Sequence, residues 1–310
     1  MENWIRKGLI YKTESDQNWN KTHCQVPTPF QIDENTLRLF YSTRDVNNRS
    51  SITFIDVSKK DVSKILNVSK NPVLNIGEIG MHDESGVMPS CFIKKDNEIY
   101  MYYTGWNIGG NVSYRTSIGL AISKDNGNTF IRHSNGPIID RSIYDPCFAC
   151  QPHVIFEQGK WRMWYLSCTK WEIINNHPEP FYHVKYAFSE NGINWVANGQ
   201  ISLDYNDEID AVGNPSVLKV NNEFKMYFSF RKAKNYRTSS RAGYKLGVAT
   251  SKDGIKFHFQ KNSIKLLGKT ENWEKEMNAY PHVININGEY IMFYNGNGFG
   301  KSGFGYAKLK

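Results

Sequence analysis

The sequence has little of what stabilises a chain by simple means. Its five cysteines (Cys24, Cys91, Cys147, Cys150 and Cys168) are odd in number and widely spread. That excludes a disulfide framework and predicts reduced, mostly buried thiols. No apolar run reaches the roughly 18 residues of a membrane-spanning helix. Pro/Ser-rich linkers and low-complexity tracts are missing, and helical periodicity is scarce, so the 310 residues read as one domain, 1–310. The opening Met1-Glu2-Asn3-Trp4-Ile5-Arg6-Lys7 lacks the apolar core of a secretory signal, and a cytoplasmic location and a monomer are expected. Cys147-Phe148-Ala149-Cys150 is a lone CxxC, with His153 and His23-Cys24 as conceivable companions. Without an α/β context or a converging ligand set, no metal and no cofactor is expected. Lys and Arg outnumber Asp and Glu by 38 to 30, a net charge of +8. They are scattered, with no stripe interleaved with aromatics, so nucleic acid is not an expected partner. The sign of the charge does suit an anionic ligand such as a sugar nucleotide, phosphosugar or acidic glycan.

Aromatic residues, by contrast, are abundant at 14%, and they recur in a pattern. Pro29-Phe30-Gln31-Ile32 precedes Leu39-Phe40-Tyr41, and Pro89-Ser90-Cys91-Phe92 precedes Tyr100-Met101-Tyr102-Tyr103. Pro152-His153-Val154-Ile155 leads to Met163-Trp164-Tyr165, Pro215-Ser216-Val217-Leu218 to Met226-Tyr227-Phe228, and Pro281-His282-Val283-Ile284 to Met292-Phe293-Tyr294. Each copy is a proline, a short apolar strand, a polar turn and an aromatic strand. A period of roughly 50–65 residues built from strands and turns predicts a radial array of sheets. The expected fold is all-β: a five-bladed β-propeller of four-stranded antiparallel blades around a central channel, with inner strands near 26–33, 87–94, 150–157, 213–220 and 279–286. A second repeated element, Ser123-Lys124-Asp125-Asn126-Gly127, Ser189-Glu190-Asn191-Gly192 and Ser251-Lys252-Asp253-Gly254, supplies residues that tolerate φ > 0 in tight hairpins. The first strand, Trp4–Tyr11, is expected to complete the last blade beside 303–310 and so remove an exposed edge.

This repeat resembles the five-bladed propeller glycoside hydrolases of the arabinanase, invertase and levansucrase type and the related mannoside phosphorylases. The phrases Met101-Tyr102-Tyr103-Thr104-Gly105-Trp106, Ser189–Trp195 and Tyr280-Pro281-His282-Val283-Ile284 resemble, more narrowly, glycosidase-like proteins encoded among bacterial surface-polysaccharide genes. The serine-aspartate turns are similar to the Asp-box of sialidases, a folding motif of the outer hairpin. The resemblance implies a glycosidase-like enzyme, or a phosphorylase or transferase on the same scaffold, with catalytic carboxylates around the channel. In the arabinanase-like pattern an Asp or Glu stands one or two residues before the blade proline. Here those places hold Thr28, Met88, Gln151, Asn214 and Tyr280, then Pro27, Val87, Cys150, Gly213 and Ala279, and that triad does not transfer.

Carboxylates gather instead in the loops that lead into the inner strands. Glu84, Asp145, Glu208 and Glu276 are the catalytic candidates, with Asp83 and Asp210 behind them. Glycoside cleavage needs one carboxyl to protonate the leaving oxygen and another to serve as base or nucleophile. Glu84 and Glu276 lead because neither fits an obvious turn role, as Asp145-Pro146 does. Strand alternation puts Gln151 with His153, Asn214 with Ser216, and Tyr280 with His282 on the channel wall, joined by Ser90. The histidines suit either acid–base work or hydrogen bonding between blades. Trp106, Trp164, Trp171 and Tyr103, near the strand ends, are candidates to stack on a sugar ring; Trp106 and Trp171, in loops after aromatic strands, are the better placed, whereas Trp164 and Tyr165 suit the inter-blade core. Arg44 and Arg231 can clamp a carboxylate or phosphate, and Arg231–Arg241 is the one local concentration of basic residues. A non-catalytic propeller that binds a carbohydrate or sugar nucleotide is the alternative to the enzyme.

Overall fold

A computed structural model describes residues 1–237, 239 and 242–310. Thr238, Ser240 and Arg241, in the basic loop after Arg231, lie outside the described residues. The fold is all-β, and one short turn, Asn297–Gly300, is the only helix among the described residues. The strands form five antiparallel units in chain order. The first holds Thr22–Gln31, Thr36–Arg44, Ser50–Ser58 and Ile65–Val68. Its inner strand and those of the others start at 22, 86, 148, 211 and 279, up to four residues before the expected 26, 87, 150, 213 and 279. Pairing with the second strand continues on the N-terminal side of each proline, as in Phe148↔Cys168.

Hydrogen bonding groups these units into three sheets. Single parallel bridges, Ser50↔Gly86 and Tyr182↔Ala211, join the first unit to the second and the third to the fourth. The fifth unit stands alone and takes the chain's first strand: Glu2–Tyr11 pairs antiparallel with Phe304–Leu309, from Trp4↔Leu309 to Tyr11↔Phe304. Ile264–Leu267 then covers the far edge in parallel pairing with Glu2–Ile5, a strand the repeat gave no reason to expect.

Apolar packing follows the same cyclic order. Separate buried clusters join units one and two through Phe40 and Tyr103, two and three through Tyr102 and Tyr165, and three and four through Trp164 and Phe228. Tyr227 and Tyr294 join four to five, and Phe293 and Tyr41 join five back to one. The arrangement is therefore propeller-like, with its core divided among the interfaces between neighbouring units. Where an aromatic of the second strand needs room, the third strand supplies a glycine. A Cβ on Gly119 would sit 2.2 Å from the ring of Tyr103.

The serine-aspartate turns explain how neighbours keep register. In the second unit Ser123 Oγ accepts the Gly127 N–H at 2.8 Å, and Asp125 Oδ1 accepts those of Asn128 and Thr129. The closed turn presents the Gly127 carbonyl to Arg38 of the unit before, at 2.9 Å. Tyr102 donates likewise to the Gly192 carbonyl at 2.7 Å, and Trp164 to that of Gly254 at 2.8 Å. The left-handed glycines (φ between 69° and 79°) make these turns possible.

Candidate functional site

The loop carboxylates divide by a rule visible only in three dimensions. Asp83, Asp145 and Glu274 each stand 20 residues before a tyrosine and accept its hydroxyl: Tyr103 at 3.0 Å, Tyr165 at 3.2 Å and Tyr294 at 2.7 Å. Each also meets a cation, Arg132 Nε at 2.8 Å, Lys185 Nζ at 3.2 Å and Arg6 Nε at 3.2 Å. Asp145 gains a further bond of 2.6 Å from Ser167 Oγ. All three side chains are buried. Burial, then the neighbouring carboxylate, raises the pKa of all three tyrosines, so they remain donors at neutral pH. Asp83 and Asp145 are thus closed into the fold rather than presented to a ligand. In the fourth unit the corresponding aromatic is Phe228, which has no hydroxyl, and Glu208 is exposed and paired with Lys261 Nζ at 2.8 Å. Asp210 accepts the Ala233 N–H at 2.7 Å. Glu84, expected to be free of turn chemistry, accepts the Gly80 N–H at 2.7 Å.

The inner strands also differ from simple alternation. Gln151, Asn214 and Tyr280, each preceding a proline, are left-handed (φ 50–55°). In the first unit the residue in this conformation is Val26 (φ 54°) before Pro27, so the aligned proline is Pro27 and not Pro29. A β-branched residue adopts such a φ only when its surroundings hold it, and here neighbouring units do so. The Val26 N–H bonds Asn295 Oδ1 at 2.7 Å, that of Asn214 bonds Gln151 Oε1 at 2.9 Å, and that of Gln151 bonds Thr104 Oγ1 at 2.8 Å. The strand register slips at these positions, for example between Cys150 and His153, which breaks the alternation that paired Gln151 with His153 and Tyr280 with His282.

Gln151 and Tyr280 face a central cavity, while the histidines lie deeper and touch each other, ring centroids 5.5 Å apart. His153 Nδ1 accepts the Val217 N–H of the next unit at 3.3 Å, as Ser216 Oγ accepts that of Val283 at 3.0 Å. Burial pushes the His153 pKa down to about 4 and lowers that of His282 as well. The pair is neutral at physiological pH, and the inter-unit role is the one its geometry fits. Asn214 donates to the Pro281 carbonyl at 3.0 Å, and Ser90 contacts Thr104 at 3.3 Å.

The cavity measures about 320 Å³. Gln25, Arg44, Trp106, Gln151 and Tyr280 are among its lining residues. Tyr114, Tyr182, Tyr236, Arg237, Tyr244 and Phe299 form the rest of the aromatic wall. No carboxylate is among the lining residues. Trp106 fixes its indole N–H on Ser50 Oγ at 2.8 Å and shows its ring to the cavity. Trp171 packs against Tyr114 and Phe148 instead, with centroids 5.4 and 5.8 Å away. Arg231 is buried behind the wall: it donates to Tyr244 Oη at 3.1 Å and the Pro180 carbonyl at 3.0 Å, and lies 3.8 Å over the Tyr236 ring. With its donors engaged by neutral acceptors, it is not poised as a clamp. Tyr182 and Tyr244 join through their hydroxyls.

Sequence reasoning missed Glu179. This buried carboxylate accepts Tyr236 Oη at 2.7 Å and Arg237 Nε at 3.0 Å, with His177 Nδ1 also 3.0 Å away. Burial opposes its charge, but Arg237 and Tyr236 more than offset that and hold its pKa below the usual range. The signal was the long third-unit hairpin, Lys160–Ile174 and His177–Ser189, whose extra residues carry Glu179 up to the wall. Beside the cavity, a cleft of about 540 Å³ shares Tyr236, Arg237 and Phe299 with it and adds Lys275 and Glu276. Glu276 is exposed, and it is the one proposed catalytic residue that reaches this region. Cys147, Cys150 and Cys168 carry free thiols.

Comparison with known proteins supplies the family. Residues 74–280 match the family described as glycosyl hydrolases family 32 N-terminal domain. Uncharacterized proteins from two strains of Mycobacterium tuberculosis are 31% identical over 315 residues, covering 99% of this chain and 99% of theirs. Among solved structures, a glycosyl hydrolase from Bacteroides ovatus is similar with a TM-score of 0.74 at 13% identity, covering 99% of this chain and 93% of that one. A thermostable family-43 glycoside hydrolase has a TM-score of 0.67 at 16% identity, over 96% and 91% of the two chains. At such identities the structural likeness speaks for the fold alone.

Proposed function

The chain belongs to the family of the glycosyl hydrolases family 32 N-terminal domain, and from that premise we propose a single five-bladed propeller, residues 1–310, that cleaves or transfers a glycosidic bond at its channel mouth. Five units packed in cyclic order support the blade count. As a glycosidase-like member of that family, the protein is carbohydrate-active. The resemblance seen in its sequence implies a setting in surface-polysaccharide metabolism.

One observation carries the site. The central cavity and the adjoining cleft meet at Tyr236, Arg237 and Phe299, with exposed Glu276 in the cleft and buried Glu179 holding Tyr236 and Arg237 in place. Trp106 and the tyrosines offer faces to a sugar ring, and Gln151 offers hydrogen bonds. In this reading Glu276 gives its proton to the departing glycosidic oxygen. Water or an acceptor hydroxyl then adds at the anomeric carbon and returns a proton to the Glu276 carboxylate, so this one carboxyl takes both the acid and the base role that glycosidases ordinarily divide between two.

The test is a proton-NMR time course with oligosaccharides, aryl glycosides and nucleotide sugars, with and without phosphate. A new anomeric signal is expected, slowed about 10²-fold or more by Glu276→Gln with an unchanged melting temperature. Undiminished turnover in that variant would remove Glu276 from the reaction. Line broadening of a sugar with no new anomeric signal would leave a binding module in place of an enzyme.

A further inference from the structure

Arg44 has an unbalanced charge. Of the other arginines withdrawn from solvent, Arg6, Arg38, Arg132 and Arg162 each meet a carboxylate at 2.8–3.2 Å. Arg231 is satisfied by Tyr244, the Pro180 carbonyl and the Tyr236 ring. Arg44, half-buried on the cavity wall, has only a neutral partner for its side chain: Nε donates to Gln25 Oε1 at 3.1 Å. Among the described residues it forms no ion pair, and both Nη groups are without a protein acceptor.

The surroundings leave that charge uncompensated. The wall holds Arg44 and Arg237, with Arg231 behind it, against the single carboxylate of Glu179. Burial lowers the Arg44 pKa. His23 is pushed down to about 4, first by burial and then by Arg44 and Lys301, so it adds no charge of its own and senses a positive field. A guanidinium withdrawn from water without a counter-charge is costly. Its planar fork matches the two oxygens of a carboxylate or phosphate. Gln25 holds the Arg44 side chain at Nε on the cavity wall that Trp106 also lines.

We propose that the central cavity selects a sugar bearing an anionic group, a carboxylate or a phosphate, and that Arg44, held by Gln25, reads that group. This rests on the sugar-binding reading above and names the class of sugar. At about 320 Å³ the cavity is at the small end of ligand pockets, which suits one ring and its substituent.

The experiment titrates the full chain by calorimetry with glucuronic acid, glucose 6-phosphate, glucose and inorganic phosphate, at low and high salt. At least one of the two acidic sugars is expected to bind about tenfold or more tighter than glucose, with the advantage shrinking as salt rises. Which acidic sugar binds tells carboxylate from phosphate. Arg44→Gln should abolish the preference. Arg44→Lys keeps the charge in a side chain of similar length, so it guards against a folding defect and should restore part of the preference. Equal binding of glucose and both acids, or a preference that survives in Arg44→Gln, overturns the proposal while leaving the sugar reading intact. Phosphate binding that depends on Arg44, with no contribution from any sugar, keeps the anion site and overturns the sugar reading. Silence from all four ligands overturns both.

Discussion

Two regions of this molecule use the same residue types to opposite ends. At the entrances to the second, third and fifth inner strands, a buried carboxylate is closed between a tyrosine hydroxyl and a cation: Asp83 with Tyr103 and Arg132, Asp145 with Tyr165 and Lys185, Glu274 with Tyr294 and Arg6. Around the central cavity, tyrosines and arginines gather again, but the lining includes no carboxylate, and among the described residues Arg44 has no counter-charge. At the entrances each carboxylate is matched by a cation, which makes them structural. The cavity is left open in charge, which is what a ligand site requires. An acidic residue in a loop near the channel is thus no guide to catalysis until its partners are known.

The strongest way to break the comparison is Asp145→Asn. It removes the counter-charge of Lys185, whose side chain is only 6% exposed, and loss of one partner of a buried pair costs about 3–5 kcal/mol. A urea denaturation series should show that loss, and a variant as stable as the parent would mean the entrance network is not structural.

Acid should loosen the channel next. His153, with a folded pKa near 4, sits below the about 6.5 of an unfolded histidine. The unfolded chain therefore binds protons that the folded chain refuses. The contribution is complete above about pH 6.5 and is lost as pH falls toward 4, at up to about 1.4 kcal/mol per pH unit for each such histidine. Denaturation midpoints that stay constant between pH 7.5 and 4.5 would contradict the buried, neutral assignment.

The smallest effect belongs to Glu208→Gln. Its pairing with Lys261 is exposed to solvent, so the urea denaturation midpoint should stay where it is. A large loss would show that the fourth unit closes its entrance as the others do, despite Phe228.

Much of the architecture was legible because it repeats. The proline–aromatic period announced the units, Trp4–Tyr11 was expected beside 303–310, and the serine-aspartate turns sat where hairpins were needed. The first unit misled, since Pro29 fits the pattern as well as Pro27, and only the left-handed Val26 and its bond to Asn295 separate them. The site was less legible. Arg44, Trp106, Gln151 and Tyr280 were named and do line the cavity. Glu179 was not, because it comes from the long third-unit hairpin that departs from the repeat, and Tyr236 and Arg237 were covered only as part of the basic stretch Arg231–Arg241.

By itself the sequence determined what depends on local spacing: strands, turns and their period, each set by a few adjacent residues. Tertiary structure alone decided which charges are neutralised. Asp145 and Lys185 are 40 residues apart and Arg6 and Glu274 span nearly the whole chain, yet each pair is in contact. Whether a carboxylate is a strut or a catalyst depends on such partners. Pairing of segments far apart in the chain brings them together, and no local pattern records it.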